Sequence, residues 1–164
     1  MLALTNIEGT VSLTLDVVGY QFPADEEDNW CLLKVGVVQG RDRFDKVDPS
    51  LETGDLTRLY NWFLALSERK LPSCARLNFV EPCLELEYVS YKGDNVTIAV
   101  ELGCEIKPPF ALKRSDVRYY GSPGRYCVVD KGWKLFFNLS ENDFSSILFA
   151  LREAMEKYPI RKYR

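Results

Sequence analysis

Five stretches of this chain alternate apolar and polar residues with a period of two, and that repetition limits the fold more than any other feature. Val11, Leu13, Leu15 and Val17 are interleaved with Ser12, Thr14 and Asp16, and the pattern returns at Leu33/Val35/Val37, Leu84/Leu86/Tyr88, Val96/Ile98/Val100/Leu102/Cys104 and Trp133/Leu135/Phe137/Leu139. Successive side chains of a strand point to opposite faces, so each stretch reads as a strand with one apolar and one solvated face. Parallel strands are covered on both faces and read as unbroken apolar runs; one-sided alternation predicts a largely antiparallel sheet. Lys92-Gly93-Asp94-Asn95 supplies a residue tolerant of positive φ beside side chains that bond their own backbone, a hairpin signal. Glu8-Gly9 is expected to close a first hairpin, pairing residues near 2–7 with 11–17.

Two segments change period. From Thr53, the expected N-cap, Leu56, Leu59, Tyr60, Phe63 and Leu66 form one helical stripe that ends near Lys70, ahead of Pro72. At Ser140 the sequence S-E-N-D gives a capping box with Asp143, and Phe144, Ile147, Leu148, Leu151 and Met155 form an apolar face before Pro159 stops the helix. Two helices cannot wall off both faces of a parallel sheet, so the expected class is α+β, a largely antiparallel β-sheet of about six or seven strands with two α-helices. Residues 106–130 break periodicity with three prolines, two glycines and five basic residues. They read either as a long connection or as an extra hairpin, 117–120 with 126–129.

The 164 residues fit a single domain, 1–164, in which roughly two thirds of the unfolded surface can be buried. The longest apolar runs are strand-length, whereas a membrane span needs about 20 apolar residues. The opening MLALTNIEG has no basic start and meets Glu8 early, unlike a secretory leader. Five cysteines, Cys31, Cys74, Cys83, Cys104 and Cys127, are an odd number without CxxC spacing, which argues against a disulfide framework or zinc knuckle and favours a reducing cytoplasm. No membrane partner is expected, and a net charge of −3 gives no global field for nucleic acid.

The chain contains no histidine, so His-ligated metals and imidazole-based triads are excluded. Glu81, Glu85 and Glu87 invite a carboxylate-dependent hydrolase. Glu85 and Glu87, however, alternate with Leu84, Leu86 and Tyr88 and so belong to a solvated strand face, while Glu81 precedes Pro82 and is held extended. That reading predicts two acids sharing a pocket with raised pKa values, and Glu81, Glu85 and Asp16 dispersed in the structure would end it. The cysteines sit in apolar or strand-like contexts, with only Cys74 near Arg76 and Cys127 near Arg125 hinting at a cationic neighbour. No glycine-rich phosphate loop is present, and Trp30, Trp62 and Trp133 read as core aromatics. The expectation is a binding protein, not an enzyme, with no catalytic residue, cofactor or metal.

One feature stands apart. In GYQFPADEEDNW, Asp25, Glu26, Glu27 and Asp28 are consecutive carboxylates, a run that must lie in water or against something positive. Contiguity speaks against a calcium loop, whose ligands alternate around a glycine turn. The tail Arg161-Lys162-Tyr163-Arg164 is basic and reads as a solvated end.

The order of these motifs resembles that of the WapI-type immunity proteins: GYQFP, an acidic run and NW before a strand, DPSLET leading into a helix with NWFLAL, NFVEP ahead of an alternating strand, and a last helix closing on KYP-R. The resemblance spans about residues 7–161; Gly54 and the basic, aromatic stretch 111–130 depart from the family pattern. It implies a cytoplasmic protein that binds and occludes the domain of a cognate bacterial polymorphic toxin. If that toxin is a nuclease, its cleft is electropositive, and Asp25, Glu26, Glu27 and Asp28 would be the partner-binding residues, standing in for phosphate charge. Tyr20, Phe22 and Trp30 are then expected to pack as the loop's root. The alternative is a structural or regulatory scaffold of the same fold.

Overall fold

The computed structural model describes residues 1–113 and 133–161. Among these residues, eight strands and two α-helices follow the chain as β1 (Leu2–Thr5), β2 (Val11–Tyr20), β3 (Trp30–Gln39), β4 (Asp42–Glu52), α1 (Thr53–Ser67), β5 (Arg76–Asn78), β6 (Leu84–Lys92), β7 (Asn95–Leu102), β8 (Trp133–Leu139) and α2 (Glu141–Lys157). The α+β class and the antiparallel pairing are as expected, but there are two four-stranded sheets, β1-β2-β3-β4 and β5-β6-β7-β8, in place of one sheet of six or seven strands. Alternation fixes which face of a strand is apolar and says nothing of its neighbours. The helix α1, entered directly from β4, divides two runs of sequential neighbours into separate sheets. The 117–120 and 126–129 pairing, and Cys127, fall outside the described residues.

Both expected hairpins form. Leu2 pairs with Leu15 and Thr5 with Ser12, closed by Asn6, whose side-chain oxygen accepts the Thr10 and Val11 N–H groups at 2.8 Å. Lys92 faces Asn95 across a two-residue turn in which Gly93 has φ 59°.

The inward faces of both sheets and one side of each helix share a single buried cluster. Val11, Leu13, Leu33, Val35 and Val37 come from the first sheet, Leu84, Leu86, Ile98, Val100, Leu102, Leu135 and Phe137 from the second, and Leu56, Leu59, Phe63, Leu66, Phe144 and Ile147 from the helices. Each such side chain contributes about 1.5–3 kcal/mol by leaving water. On α1 the stripe differs in one member: Tyr60 is half-buried, and Trp62 is buried instead with its indole N–H on the Cys74 carbonyl at 3.0 Å. Trp133 is buried as expected, its N–H on Phe110 O at 2.7 Å, while Trp30 is half-buried.

The helix ends are set by specific bonds. Ser140 and Asp143 form the expected capping box of α2, with Ser140 N–H on Asp143 Oδ2 at 2.8 Å. For α1 the N-cap is Glu52, whose N–H reaches Asp55 Oδ2 at 3.0 Å, and not Thr53. Thr53 is the first helical residue because its hydroxyl is engaged elsewhere, on Asn29 Oδ1 at 2.7 Å. The helix stops at Ser67, before Lys70, because Arg69 turns left-handed at φ 58°. Arg69 N–H then bonds Leu66 O at 3.0 Å and Lys70 N–H bonds Ala65 O at 2.9 Å, a Schellman closure that satisfies the last carbonyls.

Candidate functional site

The β2 and β3 strands are joined by residues 21–29, the stretch that carries the acidic run. Its ends are fixed as a continuation of the strand pair: Tyr20 pairs with Cys31, and Gln21 N–H donates to Trp30 O at 2.8 Å. Within it the short acids organise their own backbone. Asp25 Oδ1 accepts Glu27 N–H at 3.0 Å, Asp28 Oδ1 accepts Trp30 N–H at 3.1 Å, and Asp25 N–H donates to Phe22 O at 3.1 Å. Asp25, Glu26 and Glu27 are exposed and Asp28 is half-exposed.

The inner side of the loop is a ring of main-chain carbonyls, and the guanidinium of Arg161 sits in it. Nη1 donates to Phe22 O at 2.8 Å, to Asp28 O at 3.2 Å and to Asp25 O, and Nη2 donates to Pro23 O at 3.1 Å. A planar fork of fixed donors suits such a cradle as no ammonium would. The same guanidinium stacks on the Tyr20 ring, 3.4 Å from its centroid. The tail is therefore not simply a solvated end: Arg161 is a structural part of the loop.

Asn29, 4 % exposed, joins this loop to the rest of the fold. Its Oδ1 accepts Thr53 Oγ1 at 2.7 Å and Arg161 N–H at 2.8 Å, and its Nδ2 donates to Glu27 O at 3.3 Å and Arg161 O at 3.4 Å. The Thr53 N–H also bonds Asn29 O at 2.9 Å. One buried amide thus ties the loop, the start of α1 and the C-terminal segment together. Tyr20 completes the clamp, with its hydroxyl on Pro159 O at 2.6 Å and its ring edge-on to Tyr158 at 5.5 Å.

Of the three expected root aromatics, Tyr20 packs, Trp30 is half-buried, and Phe22 does not pack. Phe22 is 53 % exposed, although its carbonyl is held by Arg161. Ile160, the residue before Arg161, is likewise exposed. The outcome is a pinned surface on which carboxylates and an aromatic ring are presented over a guanidinium that stays beneath them.

Of the other acids, Asp16, Glu81 and Glu85 lie apart, while Glu85 and Glu87 share β6 beside Arg76. Asp16 is on β2 and pairs with the Met1 amino group at 3.1 Å, Glu85 is on β6 and lies 3.8 Å from Arg76, and Glu81 is an exposed turn residue before β6. Glu87 receives Lys134 at 2.5 Å and Arg76 at 3.5 Å. Burial alone would raise its carboxyl pKa, but the two cations outweigh it and hold it below the ordinary glutamate value. Burial pushes the Cys31 thiol up to about 11, so it remains protonated at neutral pH. No helix among the described residues is long and apolar enough to cross a membrane.

The chain belongs to the WapI-like immunity protein family, whose model matches residues 3–159. Arg161 lies just beyond that span. No curated protein and no solved structure matches the chain. Membership supports a toxin-neutralising role exercised by binding.

Proposed function

We propose that this protein neutralises one cognate polymorphic toxin domain in the cytoplasm by binding and occluding it, without catalysis, and that Asp25, Glu26, Glu27 and Asp28 meet a cationic face of that toxin. The supporting observation is the Arg161 cradle. A run of four carboxylates repels itself and would hold an unrestrained loop in many conformations. Here main-chain carbonyls are drawn inward by one guanidinium, so the acids are presented from a fixed frame. Ordering the loop before contact removes part of the entropy cost of association. Phe22 adds an exposed aromatic beside the charge, the pairing of anchor and electrostatics found at binding hot spots.

A nuclease is the toxin class that best suits this surface, since a cleft built to hold phosphates offers the complementary charge. Occlusion needs only that the loop occupy the cleft.

Co-expression of a tagged copy with the toxin domain encoded nearest to it, if any, in the same genome tests the reading. A stoichiometric complex and survival of the host are expected. Recovery of the tagged protein alone, with the host still killed, would overturn it.

A further inference from the structure

A second cluster lies where the β6/β7 pair ends, opposite its Gly93 turn. The ladder's last registered pair is Leu84 with Leu102, and Gly103 N–H extends it onto Cys83 O at 2.7 Å. The chain then turns sharply into a single 3₁₀ turn, Cys104–Ile106. Cys104 adopts φ 46°, a left-handed conformation that a side-chain-bearing residue rarely takes. The approach is also tight, since a Cβ at Gly103 would meet Pro82 O at 3.1 Å. The product of this strained turn is a convergence: Cys83 Sγ, Cys104 Sγ and a Glu105 carboxylate oxygen all lie within 4.8 Å of one another.

We infer that Cys83, Cys104 and Glu105 form a binding site for a thiophilic divalent cation of the zinc class, with water as the fourth ligand. Zinc bonds of about 2.3 Å to sulfur and about 2.1 Å to oxygen place tetrahedral ligands about 3.6–3.8 Å apart. The Cys83 thiol donates to Glu105 Oε2 at 3.5 Å, a separation close to one such edge, so replacing the thiol proton by the ion needs little movement. Two thiolates with one carboxylate select zinc or a similarly soft ion over calcium or magnesium, which take oxygen ligands. The site is open on one side: Cys83 is buried, while Cys104 and Glu105 are exposed, so an ion enters from solvent and seats on the inner sulfur. Binding releases the two thiol protons. The carboxylate, which a simple dithiol switch does not require, is what favours a cation here. Bound, the ion would pin the turn carrying the fully buried Ile106 to the start of β6.

The test is titration of the reduced full-length chain with cobalt(II), followed by zinc. One equivalent of cobalt producing thiolate-to-metal charge-transfer absorption, displaced by zinc, is the expected result. Cys104→Ser and Glu105→Gln should each weaken binding by more than about tenfold, while Cys74→Ser leaves it unchanged. If Cys104→Ser does not fold, zinc should still shield Cys104 of the unaltered protein from alkylation, read by peptide mass spectrometry. Absent cobalt absorption, absorption that survives Cys104→Ser, an unshielded Cys104, or a Cys83–Cys104 disulfide that forms in place of the metal complex would each overturn the assignment.

Discussion

Replacing Arg161 with alanine removes the guanidinium that gathers four carbonyls of the acidic loop. The guanidinium makes hydrogen bonds to the carbonyls of Phe22, Pro23, Asp25 and Asp28 and a stack on Tyr20. Hydrogen bonds from a charged donor are worth about 1.5–3 kcal/mol when buried. These carbonyls lie near the surface, water reclaims them, and each loss falls to roughly 0.5 kcal/mol. A surface cation–π contact adds about 0.5–1 kcal/mol, so Arg161→Ala should cost about 2–3 kcal/mol. Little of this loss should reach the shared core, because the Arg161 backbone keeps its bond to Asn29 and no core residue is touched. Hydrogen exchange resolves the local loss: amides of residues 21–30 should lose protection by roughly thirty- to a hundredfold, since 1.4 kcal/mol is a factor of about ten. Peptides from β6 and β7 should be little changed. Arg161→Lys keeps the charge but cannot reach four carbonyls, and should recover less than half of the protection. Unaltered exchange in the loop of Arg161→Ala, or loss spread evenly over both sheets, would refute the reasoning.

Asn29→Ala leaves Thr53 Oγ1 and the Arg161 N–H without their buried acceptor, and should cost about 2–4 kcal/mol in denaturant melts; a loss under about 0.5 kcal/mol would mean that water replaces the amide. Glu87 has a pKa held below its ordinary value of 4.5, so its ion pairs stabilise the fold above that pH and are lost as pH falls through the lowered pKa. Glu87→Gln should therefore be less stable than the unaltered protein at neutral pH, and the gap should close in acid; a gap constant with pH would contradict the pairing. Arg69→Gly relieves a left-handed residue at the expense of exposed contacts to Gly93 O and Asp94, and should be neutral or stabilising by up to about 1 kcal/mol. A loss above about 1 kcal/mol would show that the surface contacts outweigh the strain.

The parts of the fold legible in the sequence were those with a buried face. The strands β2, β3, β6, β7 and β8 and both helices declare themselves by period because one face of each lies in the shared core. The edge strand β4 does not. Its run DRFDKVDPSLE buries only Ser50 and Leu51 and contains Pro49 opposite the register shift between Cys31 and Leu33, so charge and proline mask an extended conformation that belongs at an edge. The three-residue β5 is too short to show a period. The alternation extends β7 to Cys104, yet the strand stops at Leu102 and Cys104 is exposed, because the left-handed turn breaks the pattern.

Within the candidate site, the acidic run was legible as a charge anomaly, but its anchor was not. A guanidinium that binds main-chain carbonyls has no signature in sequence, since every residue supplies the same acceptor. The nearest trace was Arg161 in the closing KYP-R motif, which is separated from its carbonyl partners by more than 130 residues. The Cys83, Cys104 and Glu105 group was hidden for the same reason: strand pairing, not spacing, brings Cys83 beside the turn.

The most direct test of the acidic loop as the contact surface is the association rate with the cognate toxin domain, measured by stopped flow across a range of salt. The substitutions Asp25→Asn, Glu26→Gln, Glu27→Gln and Asp28→Asn should together slow association by about tenfold or more at low salt and flatten its salt dependence, with folding stability nearly unchanged. Equal rates and equal salt slopes for the two proteins would place the contact elsewhere.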